Sequence, residues 1–563
     1  MTFQKQLAEI LETDVLVVGG GGAGMMAALK ARQKGCRVAL VDKGIPSREC
    51  ATLMAKQMSA AGSWSYPHDS PERHMQDTLA SGCFINNRAL VRVFVTEAPS
   101  TIEDLERMGM LFERDAPGKT FLSGGQPPGH SYARCLGYKE TTGKMAVDAL
   151  RRQAMRDGVQ MIPDVLTTRL LVEENQIRGV ACWNVAKGEM DLIQAKAVVL
   201  ATGGCGQLYP MTSNPEQSTG EGYILGFEAG AELINMEMFQ FYPVSMVYPK
   251  FLRGLNINFQ GRLLNARMER FMEKVDPVNL ENVTRDKLSQ AIYREIKKGL
   301  NTPHGGVYLE ASNFDPELYL KRFPTEYRYC LEAGIDLKKD LVEVAPAAHF
   351  MMGGIKIGPD CRTNLKGLFP AGEVTGGLHG ANRLANNALT EIFVFGKIAG
   401  QNAGAFALEE KGKRLVHGLT EDAKREIELL FQPKKDAIRG FELKGILREL
   451  MWDKVGVIRE MPKLKEAEEK LREIGEFLLP KLGVDLSHKR YNHDIVEALE
   501  AMAMAKLSLL IVQSASMRKE SRGAHFLEDY PQQDDEQYLR NVVVRRKADG
   551  EGEFRLASVT GAL

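Results

Sequence analysis

Glu373, His379 and Arg383 share one glycine-rich stretch, Gly367-Leu-Phe-Pro-Ala-Gly-Glu-Val-Thr-Gly-Gly-Leu-His-Gly-Ala-Asn-Arg-Leu384. A short apolar run ends in Ala371-Gly-Glu373, a loop carries the imidazole and the guanidinium, and a helix follows from Asn387 and Leu389. That order brings backbone amides, one carboxylate and one fixed cation to a bound ring system. A helix amino terminus there would stabilise negative charge on the ring.

About 345 residues upstream lies Asp14-Val-Leu-Val-Val-Gly-Gly-Gly-Gly-Ala-Gly24, followed by a helical stretch to Gln33 and a strand ending at Asp42-Lys43. Glycines at 19, 21 and 24 suit a tight turn, close approach of a pyrophosphate to the backbone, and packing of helix on strand. Gly19, Gly21, Gly22, Ala23 and Gly24 are therefore expected against a dinucleotide. Asp42, 18 residues after Gly24, has the spacing of an acid that accepts hydrogen bonds from an adenosine ribose, with Lys43 beside it.

This unit alone does not separate FAD from NAD. Two later segments do. Ala195-Lys-Ala-Val-Val-Leu-Ala-Thr-Gly-Gly204 is a buried strand running into a glycine turn, and Gly367 to Glu373 repeats that form. One dinucleotide touched three times fits an extended FAD. Ala201, Thr202, Gly203 and Gly204 then line it, and Glu373 meets the ribityl hydroxyls.

The elements that must position these residues belong to a large chain. Its 563 residues, 44% hydrophobic and 26% charged with zero formal net charge, supply enough apolar mass for several cores, about three domains. Balanced charge argues against a nucleic-acid partner. No run of roughly 18 apolar residues and no basic start before an apolar core is present, so a cytoplasmic location is expected, with any membrane contact through a partner. The eight cysteines are never closer than fourteen positions, which disfavours zinc or cluster sites built from this chain and predicts no metal.

Between Asp14 and Pro531 the chain resembles the flavoprotein subunits of the succinate dehydrogenase and fumarate reductase family, which includes L-aspartate oxidase and thiol-dependent fumarate reductase. The resemblance rests on the glycine fingerprint, Asp69-Ser-Pro-Glu-Arg-His-Met-Gln-Asp-Thr78, Ala201-Thr-Gly-Gly-Cys-Gly-Gln-Leu-Tyr209, Ser218-Thr-Gly-Glu221-Gly222, Ala347-Ala-His-Phe-Met-Met-Gly-Gly354, Gly377-Leu-His-Gly-Ala-Asn-Arg383 and Glu520-Ser-Arg-Gly-Ala-His525. It implies noncovalent or covalent FAD, Glu221 and His379 near the cofactor, and hydride exchange between flavin N5 and a carbon of a carboxylate substrate. By the same resemblance Arg285 is the proton donor, while His349 and Arg383 hold a substrate carboxylate.

The departures matter equally. Relatives that act on succinate or fumarate read Gln-Phe/Tyr-His-Pro where this chain reads Gln240-Phe-Tyr-Pro243, so Tyr242 replaces a substrate-binding histidine. Arg253 and Gly254 stand at a Thr-Glu pair, which removes the glutamate of the family's proton relay and makes Arg253 a candidate substrate contact. Cys50, in Ser47-Arg-Glu-Cys-Ala-Thr52, stands where membrane-bound relatives carry the flavin-linking histidine, so noncovalent FAD is expected.

The expected architecture is α/β: a Rossmann-like FAD-binding domain (1–240 and 345–405), an inserted α+β capping domain (241–344), a helical domain (406–510) and a C-terminal segment (511–563) ending in a hairpin. Leu447, Met451, Val455 and Ile458 mark one apolar helical stripe. Without cluster-type cysteines or a second nucleotide fingerprint, an iron-sulfur subunit is the expected electron partner. Aspartate-oxidase-like amino acid oxidation and a noncatalytic electron-carrying flavoprotein are the alternatives.

Overall fold

The computed structural model describes residues 11–66, 68–114, 126–249, 255, 261–313, 315, 317, 319–320, 323–411 and 421–559. The glycine fingerprint links β1 (Leu11–Val18) to α1 (Gly22–Gln33), which returns to β2 (Val38–Val41). Further along are β3 (Gln160–Ile162), β4 (Val165–Glu173), β5 (Gln176–Asn184) and β6 (Glu189–Leu200). They form one sheet in the order β3-β2-β1-β6-β5-β4. β1 pairs parallel with β2, the arrangement of a βαβ unit, and also with β6, and β4–β5–β6 form an antiparallel meander.

The far-downstream stretch rejoins this sheet. Val198 bridges Leu368 in parallel, Ala201 N donates to Val18 O at 2.8 Å, and Ala371 N donates to Leu200 O at 3.0 Å. The expected third strand is only a segment bridged to the sheet at Leu368; its end after Pro370 and the ends of β1 and β6, after Val18 and Leu200, open on the same side, at the carboxyl edge where ligands bind in such sheets.

A short helix, α2 (Glu221–Glu228), precedes β7 (Phe239–Tyr248). Then come β8 (Arg262–Leu264), α3 (Arg285–Lys297), β9 (Val307–Glu310) and β10 (Val342–Met351). These strands form an antiparallel sheet in the order β7-β10-β9-β8, with α3 packed upon it through Leu288, Ala291 and Ile292. The cluster containing them is distinct from the cores around the first sheet. β7 is bulged against β10 beside Tyr242, which turns that side chain toward the site.

Helix α4 (Asn387–Glu409) lies along α1. A Cβ on Gly396 would come within 2.6 Å of Ala23 O, and one on Gly400 within 2.2 Å of Ala27 O, so these glycines permit direct backbone packing. Beyond Glu421 the chain is helical, with α5 (Gly440–Val455), α6 (Met461–Glu473) and α7 (His493–Met517). The stripe Leu447, Met451, Val455 and Ile458 is buried. The terminal hairpin is present as β11 (Arg540–Arg546) paired antiparallel with β12 (Gly552–Ser558). Among the described residues, no helix is long and apolar enough to cross a membrane.

Candidate active site

A cavity of about 800 Å³ runs from the glycine fingerprint to the antiparallel sheet. At one end stand Gly19, Gly21, Gly22 and Ala23, and Asp42 closes the turn by accepting from Gly20 N at 2.5 Å and Gly44 N at 2.9 Å. Helix α1, with Gly21 as its N-cap, has no side-chain cap and no acidic residue in its first turn. Its amide end is thus electrostatically suited to an anion such as a pyrophosphate. Gly24 does not line the cavity: a Cβ there would meet Gly19 O at 1.9 Å, so its service is close packing of α1 against the turn.

Ala201, Thr202 and Gly203 line the middle. The hydroxyls of Thr202 and Thr167 are buried without a protein partner on that wall. Such unpaired groups are costly unless a ligand satisfies them, and with the open helix end they fit an elongated polar dinucleotide. Gly204 sits behind: a Cβ would lie 2.1 Å from Glu373 Oε1, so the glycine admits that carboxylate. Glu373 lines the cavity, accepts from Met351 N at 3.0 Å, and is pushed up to about 7 by burial. A carboxyl of that kind is poised to take hydrogen bonds from sugar-like hydroxyls.

Leu389 and Ala388, in the first turn of α4, also face the cavity, with Asn386 in the left-handed region (φ 65°) and no side-chain cap. Asn387 itself does not. Its amide is turned away, donating to Thr78 Oγ1 at 3.0 Å and bonded to His74 Nε2 at 2.8 Å, so it fixes the helix start.

Three other expected cofactor contacts are differently placed. His379 is buried off the cavity wall, bonded to Glu391 Oε2 at 3.2 Å, which anchors the loop to α4. Lys43 and Glu221 line the cavity but satisfy each other at 2.5 Å, and Lys43 also reaches Glu500 at 2.6 Å. The strand end that presents Asp42 sends the lysine to an ion-pair network that no local motif records.

Cys50 lines the cavity near the fingerprint; a Cβ on Gly21 would lie 3.6 Å from its Cβ. Burial pushes its thiol up to about 11, so it stays protonated and unreactive at neutral pH.

At the other end Tyr242, Arg285, His349 and Arg383 all face the cavity. Gln240 ties the two arginines together. Its Oε1 accepts from Arg285 Nη1 at 3.3 Å and from Arg383 Nη2 at 3.0 Å, while its amide donates to Asn382 Oδ1 at 2.7 Å and Arg383 O at 2.9 Å. Arg383 Nε is buried and unpaired. Two guanidiniums thus meet over a neutral oxygen, leaving donors for an anion.

Burial lowers the Arg285 pKa; burial, then Arg285, takes Arg383 down to about 9. The repulsion falls on Arg383, which drops further, while Arg285 is lowered by burial alone. Burial and the same two cations hold His349 well below its usual value, so it is neutral. Its Nδ1 lies 2.7 Å from Ser213 Oγ, which accepts from Asn214 Nδ2 at 3.5 Å. The serine hydroxyl has two acceptors in reach, Nδ1 and Ala348 O at 3.3 Å; when it donates along the shorter contact, His349 carries its proton on Nε2 and can donate there.

Tyr242 lies under the Arg285 guanidinium (5.0 Å to the ring centre) and beside His349, with ring centres 5.3 Å apart. Its hydroxyl donates to Leu255 O at 3.0 Å, and burial pushes it up to about 12. The expected contact Arg253 lies outside the described residues. Gln240 and Ser213 are not among the residues that the sequence singles out. Gln240 stands within the Gln240-Phe-Tyr-Pro243 motif, and Ser213 lies four residues after Tyr209, but neither motif states which side chain turns to the cavity.

The chain matches the FAD binding domain family over residues 14–389 and the fumarate reductase flavoprotein C-terminal family over residues 444–561. It is 37% identical to one of the subunits of fumarate reductase (CoM/CoB) from Methanothermobacter marburgensis, covering 96% of this chain and 98% of that protein. Its identity to a fumarate reductase flavoprotein subunit of Mycobacterium tuberculosis is 32%, over 95% of both chains. Among solved structures, E. coli quinol fumarate reductase superposes with a TM-score of 0.90 at 28% identity, covering 99% of this chain and 98% of that one.

Proposed function

This chain belongs to the succinate dehydrogenase and fumarate reductase flavoprotein family, and we propose that it acts on a carbon-carbon double bond, or its saturated counterpart, next to a carboxylate. It is an FAD-dependent oxidoreductase of the fumarate reductase type. Bound flavin supplies hydride at its N5. Everything else falls to the protein.

The observation that carries this reading is the meeting of Arg285 and Arg383 on Gln240 Oε1, with His349 on the same cavity wall. Arg383 and the Nε2–H of His349 hold the substrate carboxylate; a guanidinium paired with a carboxylate gains charge-assisted hydrogen bonds. Arg285, lowered by burial, delivers a proton to the carbon adjacent to the one that accepts hydride. A normal guanidinium, with a pKa above about 12, would be a poor acid; burial in a dry cleft makes Arg285 a better one. Closure of the 241–344 segment excludes water from the reacting carbons.

The other end of the substrate differs from a plain carboxylate. Tyr242 commits its proton to Leu255 O, leaving lone pairs toward the cavity, and these suit a donor rather than a second anion. FAD is noncovalent, in keeping with a protonated Cys50. An iron-sulfur subunit exchanges electrons with the flavin, and the chain works in the cytoplasm with any membrane contact made through partners.

The test is a panel of fumarate, its monoamide and crotonate offered to dithionite-reduced holoenzyme. The monoamide should reoxidise the flavin fastest. Ordinary enzymatic turnover of fumarate alone refutes the altered end, and no turnover of any member refutes the reading as a whole.

A further inference from the structure

Arg285 stands between two cavities. Besides the large one, it lines a second of about 90 Å³, which it shares with Glu281, Thr284 and Asn382. At the roughly 30 Å³ a water occupies in the liquid, that space takes about three waters, and its polar wall offers the partners they need. Among the described residues, Glu281 is the one carboxylate on this wall.

Glu281 is itself held toward the surface. Arg270 Nε donates to its Oε1 at 3.1 Å and Nη2 to its Oε2 at 2.6 Å, while Leu263 N donates to Oε1 at 3.0 Å. The Glu281 side chain is 8% exposed and that of Arg270 24%. The carboxylate thus sits where the inner cavity ends and solvent begins. In this chain the position of the relatives' relay glutamate is Gly254, so an arginine acid needs its proton from elsewhere.

We propose that Glu281 recharges Arg285 through water in this second cavity, a step that rests on Arg285 being the proton donor. For each double bond reduced, Arg285 gives one proton to carbon and becomes a neutral guanidine. A neighbouring water returns a proton to the guanidine, and Glu281, protonated from bulk water, restores that water. One proton enters per product, and the two electrons arrive with the hydride. Glu281 is a positioning residue in this scheme, acting on the substrate only through Arg285.

The experiment follows reoxidation of dithionite-reduced holoenzyme by the fastest acceptor among fumarate, its monoamide and crotonate, in H₂O and D₂O. Glu281→Gln should slow reoxidation at least about tenfold and enlarge the solvent isotope effect, with acceptor affinity unchanged. Glu281→Asp, which keeps a carboxylate, should recover most of the rate. Reoxidation of both variants by ferricyanide, which needs no carbon protonation, should match the wild type. A wild-type rate in Glu281→Gln, or equal slowing with ferricyanide, overturns the relay. A wild type that no acceptor reoxidises overturns the underlying reading, and the relay with it.

Discussion

Arg285 and Arg383 donate to a single oxygen, Oε1 of Gln240, at 3.3 and 3.0 Å. The contact holds two like charges close together inside the protein without neutralising either. Its partner atoms come from β7, the start of α3 and the glycine-rich loop, so the glutamine also fixes how three separate segments meet.

Replacing that oxygen separates geometry from charge. Gln240→Leu leaves two charged donors unsatisfied, at about 1.5–3 kcal/mol for each charged hydrogen bond, and should lower kcat/KM by roughly a hundredfold. Gln240→Glu restores both hydrogen bonds but adds an anion that stabilises the guanidinium forms. Its kcat should remain low although the arginines stay in place. Steady-state kinetics together with a crystal structure of each variant checks this; recovery of kcat in Gln240→Glu would show that a lowered guanidinium pKa is not what the reaction needs.

Ser213 biases neutral His349 toward carrying its proton on Nε2, in competition with Ala348 O for the serine proton. Without the hydroxyl at 2.7 Å from Nδ1, the neutral ring is free to carry its proton on either nitrogen and presents the donor to the cavity only part of the time. Ser213→Ala should weaken carboxylate binding about tenfold, some 1.4 kcal/mol, and Ser213→Thr should restore it. Titration of the oxidised flavin spectrum with crotonate gives the affinities.

Glu373 gives the flavin-free protein a pH-dependent weakness. Its folded pKa of about 7 lies above the usual 4.5 because burial penalises the carboxylate. Between those values the unfolded chain ionises while the folded one does not, so stability is full below pH 4.5 and is lost as pH rises through 7. The difference is about 3 kcal/mol at 1.36 kcal/mol per pH unit. Denaturant unfolding of wild type and Glu373→Gln at pH 4.5 and 7.5 measures it, and the wild type alone should lose this increment.

The parts of the site that depend on backbone geometry are legible in the sequence. Gly19 and Gly24 have to be glycine for the turn to close, and Glu373 follows a buried apolar segment whose letters declare its burial, though it joins the sheet by one bridge rather than as a strand. Arg285, His349 and Arg383 are found through motif order. Direction is harder to read. His379 and Asn387 sit within motifs beside the cavity yet turn inward to Glu391 and Thr78, because a motif marks a neighbourhood and packing chooses the rotamer. The partners of Lys43 lie as far as 457 residues away in sequence, and such pairs leave no local pattern. Gln240 belongs to a legible motif, but the role of an uncharged amide emerges only when the two cations it joins are seen.

Lys43 pairs with Glu221 and Glu500, and Glu500 is held in turn by Lys444, all largely buried. The residue after Asp42 is thereby wired to α5 and α7. A buried charge stripped of its partner costs about 3–5 kcal/mol, so these four positions form an indivisible set. A chimera that grafts the carboxyl-terminal helices of a relative onto this nucleotide-binding half must carry the whole quartet across together, or inherit a stranded ion at the seam.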